Sequence, residues 1–349
     1  MFKNIVYIQP YYFWKGHYKK YFDSVANKKL SIRSGVEVKS YILNYNKNFL
    51  TYSFSRILNN FFCILYLQKL IFSKKKKIDK IHFLEFEPLS MFIFLLFNLF
   101  FQKEFIITIH STKLSRSKIP FILNIIQRLI FYLNILILNF YKCKIIVHKS
   151  IDKKNLKSFF FKKMFVLDYP AEKIFITKTK NYKKNFSFLI FGQIRRDKGI
   201  EDFFEKNKSL NKFKITIAGQ IENKIYWKKK QTNMDLKIYD KFINKKFLKK
   251  LIRNHDFNFL PYSHNYAGSA GPLKLSTSFG QPVICSNIPI FKEFLKKNKI
   301  GFIFSKNLQD KLKKIDNTSY KILSKNCLEY CKSNNFNNFK SKHTKIYFD

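Results

Sequence analysis

Two short stretches hold the residue types from which an anion site is built. The first is NYAGSAGPLKLSTSFGQPVIC, residues 265–285. Its glycines and small residues precede a run with helical character, and an apolar strand follows. Pro272 suits the first helical position, where a missing N–H costs nothing. Gly280 suits the position just beyond the helix end. The first N–H groups of any helix lack intrahelical partners and sit at the positive end of its dipole. With only Gly268, Ser269, Ala270 and Gly271 before it, an anion such as a diphosphate can reach them. The alternative is a tight strand–helix turn in which the small residues merely fit. The second stretch is FGQIRRDKGIEDFF, residues 191–204. Here a strand ends in glycine and a basic loop leads into a helix. Lys198, supported by Arg195 and Arg196, is placed to meet a diphosphate. Two such loops at strand ends of one domain carry more weight than either alone.

Other chemistry-bearing residues cluster at the ends of apolar runs in the first half. His17, Glu85, Glu87, His110 and His148 all fall at or just after an expected strand end. Glu85 and Glu87, in HFLEFEP, share a side if the strand continues through them. Either could act as a general base on a hydroxyl, or cap a helix or pair with a cation. His17 and His110 are further base candidates, and His148 reads as structural.

These residues need a scaffold that gathers strand ends. The chain has 349 residues, 46% of them hydrophobic, enough for two cores. In the first half, KNIVYIQP, VEVKSYIL, KIDKIHFLEF, EFIITIHS and CKIIVHKS read as strands, with an apolar helix from about Pro88 and a long apolar helix after EFIITIHS. Past a lysine-rich linker, TKTKNYKKN (177–185), the pattern restarts with FSFLIFGQ, FKITIAGQ, DFNFLPYS and PVICS. Asn244 is the expected cap of the helix KFLKKLIRN. Repeated strand–helix–strand spacing implies parallel sheets covered on both faces, with ligands at the carboxyl ends of the strands. The expected architecture is α/β, two doubly wound domains in tandem. The tail from Tyr320 reads as helix, with Tyr330, Phe336, Phe339 and Tyr347 available to pack it against a domain.

The formal net charge is +45. Lysine, asparagine, isoleucine, phenylalanine and tyrosine are abundant together, as an AT-rich coding sequence produces. The lysines are dispersed rather than gathered on one element, so no nucleic-acid partner is expected. A general attraction to anionic surfaces remains. The five cysteines form no CxxC pair, which fits a reducing compartment and no metal site. The opening MFKNIVYIQP lacks the shape of a signal peptide. The apolar run 119–140 is interrupted by Asn124, Gln127, Arg128, Asn134 and Asn139, so a buried or interfacial helix is expected rather than a membrane span.

The order FGQIRRDKGIEDFF, FKITIAGQI, FNFLPYSHNYAGSAGPLKLSTSFGQPVICSNIPIFKEF and IGFIF resembles the donor domain of GT-B glycosyltransferases of the glycosyl-transferase group 1 type. The segments IVYIQPYYFWKGHYKKYF, IHFLEFEPLS, IITIHS and IIVHKS are similar to that family's acceptor domain. The resemblance implies two Rossmann-like domains with a cleft between them and a C-terminal helix crossing back. The corresponding division is an acceptor domain at 1–180, a donor domain at 181–320 and a helical tail at 321–349. It implies a nucleotide-sugar donor, a glycan or lipid-linked acceptor, and no metal or bound cofactor. Lys198 matches the family's donor-diphosphate lysine, and Gly268 to Gly271 match its phosphate-facing loop. Gly16 matches the glycine of the first loop, and His110 a position that faces the transferred sugar. The departures are Gln193 in place of an arginine, and Ala267 and Leu275 in place of two glutamates. A subgroup with the same small-residue loop also lacks these glutamates. The expected function is metal-independent sugar transfer in surface polysaccharide or glycolipid biosynthesis, in the cytoplasm, with peripheral contact at the inner face of the cell membrane. The competing expectation is a catalytically degenerate relative that binds an anionic polymer or a membrane surface.

Overall fold

A computed structural model describes residues 5–12, 18–26, 31–32, 49–72, 78–98, 103–112, 121–175, 179, 181–264, 266 and 270–348. The chain divides into two compact units. One comprises Met1–Asp168 with Phe339–Asp349, the other Tyr169–Asn338.

The first unit runs β1 (Ile5–Ile8), α1 (Tyr18–Val25), β2 (Ser31–Ile32), α2 (Phe49–Phe72), β3 (Lys80–Phe83), α3 (Pro88–Asn98), β4 (Glu104–Ile109), α4 (Phe121–Ile137), β5 (Cys143–Val147), α5 (Ser150–Leu156) and β6 (Met164–Val166). The strands form one parallel sheet in the order β2-β1-β3-β4-β5-β6. The central strands are buried on both faces, which is why they read as unbroken apolar runs. Connections from β2 to β5 all step the same way along the sheet, so right-handed crossovers place α2, α3 and α4 on one face. They pack side by side: Ser90 Oγ donates to the Ile57 carbonyl, and Asn134 Nδ2 to the Pro88 carbonyl at 2.6 Å. The expected strand VEVKSYIL, residues 36–43, lies outside the described residues.

The second unit runs β7 (Ser187–Phe191), α6 (Ile200–Lys206), β8 (Lys214–Ala218), α7 (Lys224–Gln231), β9 (Leu236–Tyr239), α8 (Lys245–Asn254), β10 (Phe257–Leu260), α9 (Gly271–Ser278), β11 (Val283–Cys285), α10 (Pro289–Asn298), β12 (Gly301–Ile303), α11 (Leu308–Lys313) and α12 (Asn317–Ser333). Its parallel sheet has the order β12-β11-β10-β7-β8-β9. Strand order reverses between β7 and β10, whose Phe188 and Phe257 are in register. Asn244 caps α8 by accepting from the Phe247 N–H at 2.8 Å.

Described residues in the segment read as a linker belong instead to this unit. Tyr182 is buried and stacks on Tyr320 at 5.0 Å. The Asp256 carboxylate accepts from the backbone N–H groups of Lys183, Asn185 and Ser187. Lys183 and Lys184 are exposed, but the backbone there is pinned by one buried acid.

The last helix, α13 (Phe336–Phe348), contributes its residues from Phe339 onward to the first unit. Lys80, only 2% exposed, donates to the Tyr347 carbonyl at 2.7 Å and pairs with Glu104 at 2.6 Å. Lys144 donates to the Ile346 carbonyl at 3.1 Å. Two cations thus meet the last carbonyls of α13, at the negative end of its dipole. All five cysteines are free and buried.

Candidate functional site

In the second unit strand order reverses between β7 and β10, the position where open α/β sheets form a ligand crevice beyond their carboxyl ends. Both stretches singled out in the sequence leave the sheet there. After β7 the chain is stitched to the loop after β8. Ile194 pairs with Ile221, the Ile194 N–H donates to the Gln220 carbonyl at 2.8 Å, and the Arg196 N–H to Glu222 at 3.0 Å. A Cβ on Gly219, whose φ is +152°, would stand 1.8 Å from the Gly192 carbonyl oxygen, so the two strand ends approach as only glycine allows.

Residues Arg196–Lys198 form one 3₁₀ turn that Gly199 ends in the left-handed region, at φ +62°. A Cβ on Gly199 would meet Ser263 Cβ at 2.4 Å, and the Ser263 N–H donates to the Lys198 carbonyl at 2.8 Å. The loops after β7 and β10 are therefore locked together through Lys198 and Gly199. The Lys198 side chain is only 6% exposed. Its ammonium donates to the Gln193 carbonyl and stands 5.2 Å over the Tyr262 ring. Arg195 is half-buried and Arg196 exposed.

α9 opens at Gly271, with Ala270 as N-cap, so Pro272 is the second helical residue. Among the described residues no side chain caps this end. A Cβ on Gly271 would meet nothing within 4 Å. There is therefore open space beside Gly271, and among the described residues no side chain caps the first N–H groups of the helix. Gly280, at φ +58°, follows the helix end, where its N–H donates to the Thr277 carbonyl. Gly268 and Ser269 lie outside the described residues, as do Gly16, His17 and Ala267. Leu275, at one position where a glutamate is absent, packs among Leu248, Leu251 and Phe279 in an apolar cluster.

In the first unit, β3 ends at Phe83, so Glu85 and Glu87 lie in the bend beyond it and strand alternation does not relate them. The two acids part company. Glu87 is the N-cap of α3, accepting from the Ser90 N–H at 2.8 Å and the Ser90 hydroxyl at 2.5 Å. Glu87→Ala is expected to cost about 1 kcal/mol of stability, as lost caps do. Chemical denaturation measures this, and turnover should fall no more than the folded fraction does.

Glu85 instead meets His110. His110 Nε2 lies 3.2 Å from Glu85 Oε1 and 3.0 Å from the Leu84 carbonyl oxygen. Burial opposes a charge on this ring, but the Glu85 carboxylate beside it prevails and its pKa is raised. His148, 4.7 Å away between ring centroids, bonds through Nδ1 to the Leu167 carbonyl. Burial first, and the His110 charge next, hold its pKa well below the ordinary value.

His82 and His343 carry no local sequence signal of a site. Both are fully buried in the first unit; His82 bridges the Tyr347 hydroxyl and Thr108 Oγ1. Neither lies in a stretch with loop or capping signals, so only the fold could place them. Among the described residues no group of His, Cys, Asp or Glu side chains could hold a metal ion.

The family model of the glycosyl transferases group 1 matches residues 172–325. No curated protein sequence matches the chain. Among solved structures, sucrose-phosphate synthase from Thermosynechococcus elongatus is similar at 13% identity and a TM-score of 0.61, covering 93% of this chain and 84% of that one. Anabaena HepE in complex with UDP matches at 11% identity and a TM-score of 0.61, over 82% of each chain. TarM matches at 14% identity and a TM-score of 0.58, over 83% of this chain, which spans 58% of TarM. At these identities the likeness is one of fold. Two parallel-sheet Rossmann-like units in tandem are the architecture these structures share with the chain. The protein has the GT-B fold, and residues 172–325, most of its second unit, match the family model of the glycosyl transferases group 1.

Proposed function

We propose that the protein transfers a sugar from a nucleotide-sugar donor to a glycan or lipid-linked acceptor, without a metal ion. The observation that carries this reading is the mouth of α9. A helix N-terminus with no side-chain cap among the described residues, and open space beside its Gly271, stands at the same strand-order reversal as the buried Lys198. The leaving group of such a reaction is a nucleoside diphosphate, whose charge grows as the glycosidic bond breaks. Fixed N–H dipoles and a lysine ammonium stabilise that charge without reorganising. Lys198 is the main cation, with Arg195 and Arg196 in support. In sequence, Gly268, Ser269, Ala270 and Gly271 make up the small-residue stretch leading into α9, Gly16 is a further diphosphate candidate and His17 a further base candidate. Glu85 with His110 is the pair assigned to the acceptor hydroxyl; its proton would pass to the carboxylate. The same charge balance favours work at an anionic membrane face in surface polysaccharide or glycolipid assembly.

A second reading, a degenerate relative that only binds, is favoured by one observation. Leu275 is packed in an apolar cluster where a ribose-binding glutamate would stand.

A thermal-shift panel of UDP, GDP, CMP and their sugar conjugates tests the proposal against the second reading. One nucleoside diphosphate should raise the melting temperature of the wild-type chain. Gly271→Val adds its side chain to open space, so its own melting temperature should stay close to wild type while the nucleotide-induced rise disappears. No rise with any nucleotide, from folded wild-type protein, would leave α9 as an ordinary turn and favour the binding protein.

A further inference from the structure

The layer formed by α2, α3 and α4 has two apolar sides. Phe131, Asn134, Ile135 and Leu138 turn α4 and its short 3₁₀ extension (Leu138–Phe140) toward the sheet. On the opposite side Ile125, Ile126, Leu129, Leu133, Leu136 and Phe140 are all exposed. At 3.6 residues per turn these six fall within about 100° of the circumference, so they form one stripe. Leu129 is 65% exposed and Phe140 88%. At its far end Asn139 bonds to the Phe159 carbonyl and the Phe161 N–H, tying the segment of Phe161, 76% exposed, to the helix end that carries Phe140. Neighbouring α2 shows exposed Phe62, Leu65 and Phe72 at helical spacing with Lys69 among them, and α3 shows Leu96. Scattered exposed apolar residues are ordinary, but these fall on one continuous stripe. Such continuous apolar surface marks an interaction site.

Charge identifies what covers it. No Asp or Glu occurs in α2, α3 or α4; their charged residues are Arg56, Lys69 and Arg128. Lys142, Lys162 and Lys163, all exposed, flank the Phe140–Phe161 end in sequence. A second copy of this chain would bring two molecules of net charge +45 face to face. An anionic lipid surface neutralises that charge and takes the apolar side chains into its acyl boundary. Among the described residues no helix is long and apolar enough to cross a membrane, so the layer would lie on the bilayer.

We propose that the outer face of α2, α3 and α4 docks on an anionic bilayer, with the Leu129–Leu133–Phe140 stripe entering the headgroup region. The proposal stands on this layer alone and does not depend on the transfer chemistry. Co-sedimentation with phosphatidylcholine vesicles, with and without phosphatidylglycerol, tests it. A chain this basic will be drawn to anionic vesicles by charge, so the deciding condition is high salt, where the screening length falls to about 3 Å at 1 M. Wild-type protein should remain partly bound to the phosphatidylglycerol vesicles there. The exposed triple variant Leu129→Gln/Leu133→Gln/Phe140→Ser should keep its melting temperature and lose at least about tenfold in partitioning. In a separate variant, Leu133→Trp, the new indole should be quenched by brominated acyl chains. Complete release of the wild type at high salt would overturn the proposal, as would equal binding by the triple variant or an unquenched Trp. A wild-type dimer in sedimentation velocity that the triple variant abolishes would assign the face to a second copy instead.

Discussion

Lys198→Ala is expected to lower turnover of the nucleotide-sugar donor by about 10²–10³-fold, the loss seen when one preorganised donor is removed from a developing anion. The size follows from where the ammonium sits. It is buried on a 3₁₀ turn whose end is fixed by Gly199 against Ser263, so its position is set before any ligand arrives. A cation held in place at low dielectric stabilises new negative charge far more than a solvated surface lysine does. Arg196, exposed on the same turn, is the internal comparison. Arg196→Ala should cost much less, because water screens its charge. Lys198→Met separates charge from packing. Its unbranched side chain can still cover the Tyr262 ring while the cation is gone, so it should lose turnover as Lys198→Ala does and melt closer to wild type. Steady-state kinetics and melting curves on the three variants decide the matter. If Lys198→Met turns over at a near-normal rate, the lysine is a structural cation and the diphosphate role fails.

The elements legible in sequence were those with strong local signals. Strands buried on both faces read as apolar runs, and Asn244 and Gly280 marked helix ends where the chain starts and stops bonding. The 24-residue α2 was missed because its sequence is apolar all round. A helix that packs on a sheet with one side and exposes apolar residues on the other has no clear 3.6-residue period. The segment TKTKNYKKN misled in the opposite sense. Its side chains have linker composition, yet Asp256, dozens of residues later, binds its backbone. A contact that distant leaves no trace in local composition. Similar logic separates Glu85 from Glu87. Two residues apart in sequence, they differ only in what the fold brings to each. One receives the N-terminus of α3; the other receives His110 from the end of the adjacent strand.

The first unit is expected to lose stability steeply between pH 6.5 and about 4, with His343 contributing about 3 kcal/mol of that loss at 1.36 kcal/mol per pK unit. His343 is fully buried on α13, its Nδ1 bonded to the Phe339 carbonyl one turn earlier and its ring packed near Phe339, Tyr21 and His82. Burial pushes its folded pKa from 6.5 down to about 4. A group whose folded pKa is lowered contributes stability that is complete above its unfolded pKa. That stability drains away as pH falls toward the folded value, because the unfolded chain takes up the proton first. His82 and His148 are also held well below 6.5, chiefly by burial and then by neighbouring imidazoles, so they act in the same direction. His110 has the opposite sign. Its raised pKa gives stability that is present below 6.5 and lost as pH rises through the folded value. Within the acid window it is protonated in both states and adds a constant, so it does not flatten the slope. The charged groups nearest the anchored helix are Lys80 and Lys144 with Glu104, at the last carbonyls of α13, and added positive charge at His343 gains nothing from the two lysines. His343→Phe keeps a ring among these aromatics and removes the proton site. Calorimetric melts from pH 7 to 4 should show the transition of the first unit falling less steeply in the variant than in the wild type. Equal slopes would mean that the buried imidazole of His343 does not set the acid limit of this unit.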